Sequence, residues 1–315
     1  MAPAIALIFP GQGSQSVGMG RAFYDAMPEA RKVYEEAAGI LGYDIAGLCF
    51  DGPADRLNVT EYTQPALLTV SIAALRAFEP AGIRPMTVAG HSLGEYSALV
   101  AAGGLAFGTA VSLVQKRGRY MAEAVPSGRG LVAAVLGVSK EVVSEACREA
   151  ASIGIVVPAN FNCPGQIVIA GDKAAVERAI ELMKAKGCRK AIPLPVSVPV
   201  HTPLMQGAAD RLAHDVDGAP WSDLRMPLIN NAEAKPLRLA ADVKASVIRQ
   251  LPSPVLWEES IKVMHDMGVK TFIEVGPGTV LTGLIKRIVP EATTFNVHNP
   301  QSLEETLKSL KVVTS

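Results

Sequence analysis

The chain has 315 residues, 49% of them apolar, and its formal net charge is zero. This length allows one large or two modest domains with a sizeable core, and the balanced charge gives no reason to expect a nucleic-acid or membrane surface. No apolar run approaches the roughly 20 residues of a membrane span. The four cysteines show no CxxC spacing, so we expect free thiols in the cytoplasm and no metal site.

Short apolar runs alternate with long amphipathic segments in the first part of the chain, which predicts an α/β fold. The predicted strands are 4–10 and 86–90, and the predicted helices are 21–42, 66–79, 93–104 and 107–125. After residue 199 the same alternation returns. It predicts strands over 226–231 and 271–275 and helices over 210–216, 241–250, 257–268 and 280–289.

A different rhythm occupies residues 128–198. Strands over 130–138, 154–162, 165–172 and 188–197 combine with helices over 140–151 and 173–187. The order βαββαβ is that of a ferredoxin-like unit. We therefore predict a body formed by 1–127 and 199–315, with a mainly parallel sheet, and an inserted ferredoxin-like subdomain over 128–198.

The loop "FPGQGSQ" follows the first predicted strand. Ser16 stands where a dinucleotide-binding loop needs its third glycine, and a P-loop lysine is lacking. At the carboxyl end of a strand, such a loop can donate a backbone N–H to an oxyanion, and Gln12 is the candidate donor. The alternative is a tight turn before a helix.

The segment "GHSLG" fits the G-x-S-x-G pattern of a nucleophile elbow centred on Ser92. A strand precedes it and a helix follows, as an elbow requires. A serine-capped turn is the alternative interpretation. In the elbow interpretation, Leu93 follows the nucleophile and supplies a second oxyanion N–H.

A serine nucleophile needs a base, and the chain has five histidines. His201 lies at the end of a strand-like segment, where catalytic groups collect, although a lone histidine there is often structural. No aspartate is an obvious partner for the histidine, so a backbone carbonyl could orient it.

Arg117 lies in a mostly apolar helix, and the helical spacing of its neighbours indicates that it faces inward. A buried arginine needs a carboxylate partner. Such a partner is usually an internal Asp or Glu, but it can also be the carboxylate of a substrate.

Many motifs in order along nearly the whole chain resemble the malonyl-CoA:acyl-carrier-protein transacylase family. They are "FPGQGSQ", "TQPALL", "GHSLGEYSAL", "RGRYMAEAVP", "NFNCPGQIVIAG", "PLPVSVPVH", "IRQLPSPVLW" and "EVGPGTVLTGLIKRI". The resemblance implies an α/β hydrolase-like body with a ferredoxin-like insert. It also implies an acyltransferase of fatty acid biosynthesis, an S-malonyltransferase.

The resemblance implies a ping-pong transfer from malonyl-CoA to the phosphopantetheine thiol of acyl carrier protein, without a cofactor. Ser92 would be the nucleophile, His201 the base, and Arg117 the group that binds the malonyl carboxylate. The family's oxyanion amides fall on Gln12 and Leu93. The carbonyl that orients the histidine falls on Gln250.

Three other classes of protein are alternatives. A serine hydrolase would use the same serine and histidine, and an acyltransferase of polyketide synthesis would differ only in its carrier. A non-catalytic module that binds a carrier protein would need none of these groups. We expect a monomer, and Lys286 and Arg287 are candidate contacts for an acidic carrier.

Overall fold

In the computed structural model, which describes residues 4–126, 128–194 and 198–314, the strands form two sheets. The strands are β1 (Ile5–Phe9), β2 (Thr87–Gly90), β3 (Gly130–Leu136), β4 (Val156–Cys163), β5 (Gln166–Asp172), β6 (Lys190–Pro193), β7 (Leu228–Ile229), β8 (Pro236–Leu237), β9 (Thr271–Val275) and β10 (Thr293–Val297).

The helices cover both faces of the larger sheet and one face of the smaller sheet. They are α1 (Arg21–Ala26), α2 (Pro28–Leu41), α3 (Ile45–Asp51), α4 (Ala54–Leu57), α5 (Thr60–Phe78), α6 (Gly94–Ala102), α7 (Phe107–Ala124), α8 (Lys140–Ala150), α9 (Lys173–Ala185), α10 (Gln206–Gly218), α11 (Ala240–Gln250), α12 (Trp257–Asp266), α13 (Val280–Ile288) and α14 (Pro300–Thr314). None of the helices in the described ranges combines the length and hydropathy needed to cross a bilayer.

The larger sheet has the strand order β10-β9-β1-β2-β7-β8. Its pairs are parallel except for the β7–β8 hairpin. The side chains of successive β1 residues point to opposite faces of the sheet and pack into two different cores. Leu7 and Phe9 pack with the helices on one face, while Ala6 and Ile8 pack with Trp257 on the other. Because neither face is solvated, the strand is apolar throughout, as expected for a buried parallel sheet.

The smaller sheet has the order β4-β5-β3-β6 and is antiparallel throughout. Helices α8 and α9 pack on it around a separate apolar core that includes Val135, Ile169 and Met183. The predicted fold class, a mainly parallel body with a βαββαβ insert, is confirmed. Residues 127 and 195–197, which include one predicted boundary and the end of the predicted strand 188–197, lie outside the described residues. The subdomain boundaries stay a prediction.

Several predicted elements differ from the structure in their bounds. The helix expected over 21–42 is two helices, because Met27 is extended, with φ −132° and ψ 116°. Pro28 follows it, and the proline ring disfavours a helical conformation at the preceding residue. Helix α5 also begins at Thr60, earlier than expected.

The parallel strands bring several loops to one edge of the larger sheet. Phe9 pairs with Gly90, so the loop after β1 and the turn after β2 begin at the same level. The segment after β7 begins beside them, since Val88 of β2 pairs with Leu228. In an open α/β sheet this carboxyl edge is where sites form.

Candidate active site

Ser92 lies in the turn between β2 and α6, with φ at +50°, in the left-handed region. The turn is tight enough to require its two glycines. A Cβ on Gly90 would lie 1.9 Å from the carbonyl carbon of Gly94, and a Cβ on Gly94 would lie 2.1 Å from the carbonyl oxygen of Phe9. This geometry raises the serine above the sheet at the start of a helix, as the G-x-S-x-G pattern predicts.

His201 is the partner of this serine. Ser92 Oγ lies 2.8 Å from His201 Nε2, although 109 residues separate them. The other ring nitrogen, Nδ1, lies 3.0 Å from the carbonyl oxygens of both Gln250 and Ser253. Because carbonyls only accept hydrogen bonds, Nδ1 carries the proton and Nε2 presents its lone pair to the serine. The Gln250 carbonyl was expected from the resemblance, whereas the Ser253 carbonyl was not.

The surroundings of His201 keep it neutral. Its side chain is buried, and burial, followed by the nearby positive charge of Arg117, lowers its pKa to about 3. A neutral imidazole at neutral pH is the form that can accept a proton from the serine hydroxyl.

The other histidines point elsewhere. His91 is adjacent to the serine in sequence, but its Nε2 lies 2.9 Å from Asn162 Oδ1 of the insert. His214 and His265 lie on α10 and α12, and His298 lies in a loop after β10. Of the histidines, all of them within the described residues, only His201 hydrogen-bonds Ser92.

Arg117 is 1% exposed and its guanidinium reaches the serine. Nη2 donates to Ser92 Oγ at 3.2 Å and to Gln250 Oε1 at 3.1 Å, and Nη1 donates to Gln64 Oε1 at 2.8 Å. Burial lowers the pKa of the guanidinium. Within the described residues no carboxylate forms an ion pair with it. No internal Asp or Glu among these residues therefore contacts the guanidinium directly, although buried Glu95 is close enough to favour its charged form, and the cation faces Ser92.

The two candidate oxyanion donors flank the elbow. A Cβ on Gly11 would lie 2.2 Å from the carbonyl oxygen of His91, so the "PGQGS" loop touches the turn. The Gln12 side chain donates to Thr60 Oγ1 at 3.2 Å. The backbone N–H groups of Gln12 and Leu93 donate to no acceptor in the described part of the chain, which leaves both free for a ligand.

Sequence reasoning missed two buried residues beside the serine. Asn231 accepts the Ser92 backbone N–H at 2.7 Å, and Glu95 accepts the backbone N–H of Asn231 at 2.8 Å. A signal for Asn231 existed, because "LINN" ends a predicted strand and the carboxyl edge collects functional groups. The side chain of Gln250 was missed as well. Its Nε2 donates to the Ser92 carbonyl at 3.0 Å.

The candidate carrier contacts lie on α13. Arg287 donates to Gln166 Oε1 at 2.7 Å and to the Pro164 carbonyl at 2.9 Å, which ties the body to the β4–β5 turn of the insert. Lys286 is exposed. The arginine is therefore already engaged within the molecule.

Comparison with known proteins gives a consistent result. The sequence model of the family described as acyl transferase domain matches residues 6–304. The malonyl CoA-acyl carrier protein transacylase of Bacillus subtilis (strain 168) is 47% identical over 308 residues, covering 98% of this chain and 97% of that protein. The protein of the same name from Escherichia coli (strain K12) is 46% identical over 304 residues, covering 96% and 98%.

Solved structures agree. An acyl carrier protein S-malonyltransferase from Vibrio cholerae is 46% identical, with a TM-score of 0.94 over 96% of this chain and 99% of that chain. A malonyl-transacylase in complex with its type II PKS acyl-carrier protein is 45% identical, with a TM-score of 0.95 over 97% and 99%.

Proposed function

The chain belongs to the acyl transferase domain family, among its malonyl-CoA:acyl-carrier-protein transacylases, and from this premise we propose that Ser92, His201 and Arg117 perform the transfer. The protein is an S-malonyltransferase that moves a malonyl group from malonyl-CoA to acyl carrier protein. The observation that carries the assignment of residues is the convergence on Ser92 Oγ, 2.8 Å from a neutral imidazole and 3.2 Å from a buried guanidinium.

In the first half-reaction, His201 Nε2 takes the proton of Ser92 as Oγ attacks the carbonyl carbon of the malonyl thioester. The negative charge that develops on the carbonyl oxygen is bound by the backbone N–H groups of Gln12 and Leu93. The C–S bond then breaks, and the coenzyme A sulfur leaves with the proton held by His201. A malonyl-serine ester remains.

In the second half-reaction, the thiol of the carrier's phosphopantetheine arm enters the vacated site. His201 accepts the thiol proton, the sulfur attacks the ester carbonyl, and the proton returns to Ser92 Oγ as the C–O bond breaks. The same imidazole is base and then acid in each half, which requires a histidine that is neutral at rest. The Gln250 and Ser253 carbonyls hold the ring in the required tautomer.

Arg117 gives the site its preference for a dicarboxylic acyl group. Its planar fork suits a carboxylate, and the malonyl carboxylate forms the direct ion pair that no carboxylate of the described residues makes with Arg117. Side chains and backbone amides provide every step, so we propose no cofactor. We also propose a cytoplasmic monomer. The four cysteines are free thiols, which fits a reducing compartment.

We infer that the malonylated carrier serves fatty acid synthesis. A role in polyketide synthesis is the second candidate, since a close structural relative was solved with a type II PKS acyl-carrier protein. The chemistry is identical in the two cases. Rates of malonyl transfer to purified carriers of the two kinds, compared at equal concentration, distinguish them.

The test is the mass of the intact protein after incubation with malonyl-CoA and no acceptor. We expect a malonyl adduct that is lost in Ser92→Ala, is strongly slowed in His201→Ala, and is cleared by added holo carrier protein. His214→Ala, which removes an exposed histidine, is the matched control and should acylate normally. Rapid release of free malonate without carrier would indicate a serine hydrolase and refute the proposal. Absence of adduct and turnover would favour a non-catalytic carrier-binding module.

A further inference from the structure

The backbone of the nucleophile turn depends on side chains from a distant segment. Ser92 adopts a left-handed conformation that a non-glycine residue rarely occupies. Such a strained conformation is kept only where several surrounding contacts hold it in place. The groups that fix the backbone of Ser92 therefore decide where its hydroxyl points.

Asn231 bridges the two ends of the turn. Its Oδ1 accepts the backbone N–H of Ser92 at 2.7 Å, and its Nδ2 donates to the carbonyl of Gly90 at 2.7 Å. A backbone N–H only donates and a carbonyl only accepts, so the orientation of the amide is fixed by its partners. Asn231 is 0% exposed, so bulk solvent does not reach these bonds.

Glu95 in turn fixes Asn231. It lies on α6, one turn beyond the serine, and is 0% exposed. Its Oε2 accepts the backbone N–H of Asn231 at 2.8 Å. The helix that follows the nucleophile thus holds the segment after β7, and that segment holds the nucleophile.

Gln250 holds the carbonyl side of Ser92, opposite the N–H that Asn231 accepts. Its Nε2 donates to the Ser92 carbonyl at 3.0 Å and approaches Asn231 Oδ1 at 3.4 Å, while its Oε1 accepts from Arg117. Both backbone polar groups of Ser92 are therefore held by side-chain amides. A shift of the Asn231 amide would move the serine relative to both the imidazole and the guanidinium.

We propose that Asn231 is a positioning residue for acyl transfer, fixing the Ser92 turn through its side-chain amide, and that Glu95 sets its place by accepting its backbone N–H. Neither residue touches the reacting atoms. The inference rests on the proposed function, because its effect is seen in the reactivity of Ser92. A misplacement of about 1 Å at a reacting group can lower a rate on the order of 100-fold.

The test measures the rate constant for malonyl-serine formation and the KM for malonyl-CoA in matched variants. We expect Asn231→Ala to lower the rate constant on the order of 10- to 100-fold, with KM changed by less than about threefold, because substrate contacts remain. Asn230→Ala is the control. Asn230 is equally buried and donates to Ser246 Oγ at 2.7 Å, but among the described residues it forms no hydrogen bond with the turn. Asn230→Ala should lower the stability of the protein without a comparable fall in the rate constant for malonyl-serine formation.

Two further variants keep the proposal falsifiable if Asn231→Ala does not fold. Asn231→Asp keeps an acceptor for Ser92 but loses the donor to Gly90, so the rate should fall. Glu95→Ala should also slow acylation, and Glu95→Gln, which retains an acceptor oxygen, should restore most of the loss. Folded Asn231 variants that keep the wild-type rate constant, or an equal loss in Asn230→Ala, would overturn the proposal.

A serine-directed sulfonyl fluoride separates this inference from the proposed function. The reagent labels activated serines whatever their natural acyl donor. Wild-type protein that is labelled but forms no malonyl ester would refute the proposed function, and the labelling rates of the Asn231 and Asn230 variants would still decide the positioning role. Equal labelling of the wild-type protein and both Asn231 variants would refute that role by itself.

Discussion

Replacing Arg117 with alanine should convert a malonyl-selective site into a poorly selective one. The guanidinium is 1% exposed, and its hydrogen-bond partners Gln64, Gln250 and Ser92 are all neutral. Burial lowers its pKa, and the nearby Tyr96 and Glu95 offset only part of that effect, so an incoming anion would stabilise the charge further. In the proposed binding mode, malonyl-CoA brings a carboxylate to this position, whereas acetyl-CoA has none to bring.

The expected size follows from the type of contact. A hydrogen bond to a charged group contributes about 1.5–3 kcal/mol, which corresponds to a change of roughly 10- to 150-fold in rate. We therefore expect Arg117→Ala to lower the ratio of kcat/KM for malonyl-CoA to kcat/KM for acetyl-CoA by roughly 10- to 150-fold. Arg117→Lys keeps the charge but loses the planar fork, so it should recover only part of the selectivity.

The assay is the rate of acyl-serine formation from each thioester, followed by rapid quenching and intact mass. Arg119→Ala is the control, because Arg119 is an exposed residue of the same helix. It should leave both rates unchanged. Equal falls for malonyl and acetyl transfer in Arg117→Ala would refute the reasoning, since they would mean that the arginine holds the serine and not the substrate.

Three other predictions concern pH and packing. Labelling of Ser92 by a sulfonyl fluoride should persist well below pH 6, because the pKa of His201 is about 3. In Arg117→Ala the labelling rate should begin to fall at a higher pH, because removing the cation raises the pKa of His201. A labelling rate that falls near pH 6.5 in both proteins would contradict this prediction. Burial raises the pKa of Glu95 to about 7, so the unfolded chain releases this proton first and the free energy of unfolding should fall by about 3 kcal/mol as pH rises from about 4 to 8. Calorimetry should show a flatter dependence in Glu95→Gln, and an unchanged slope would exclude this carboxyl as its source. Gly11→Ala should abolish acylation, because its Cβ would be forced against the carbonyl oxygen of His91 in the elbow. Gly39→Ala, whose Cβ would lie in open space on α2, should acylate like the wild type. An active Gly11→Ala variant would contradict the close contact between the glycine loop and the elbow.

Most of the fold could be predicted from the sequence because its signals are local. The apolar runs at β1 and β9, the amphipathic pattern of α7 and α12, and the βαββαβ order of the insert each depend on a few neighbouring residues. The errors were local as well. The pattern over 21–42 continued across Met27, although Pro28 was a visible reason to divide the helix there.

The candidate site could be predicted only in part. The elbow pattern indicated Ser92, and the shortage of histidines left His201 as the best base. The role of Arg117 stayed open on sequence grounds, because an internal carboxylate and a substrate carboxylate leave the same apolar helical pattern. The structure adds that its hydrogen-bond partners are neutral amides and a hydroxyl, which only the packing of α5, α7 and α11 could decide.

The sequence by itself determined the chemical types in the chain: a serine in a glycine turn, a histidine at an element end, and a glycine-rich loop after a strand. Only the tertiary structure decided which groups meet. Ser92 and His201 are 109 residues apart, and Ser92 and Asn231 are 139 residues apart. Such contacts produce no periodic pattern in the sequence. They form where parallel strands align their carboxyl ends and buried polar groups require hydrogen-bond partners.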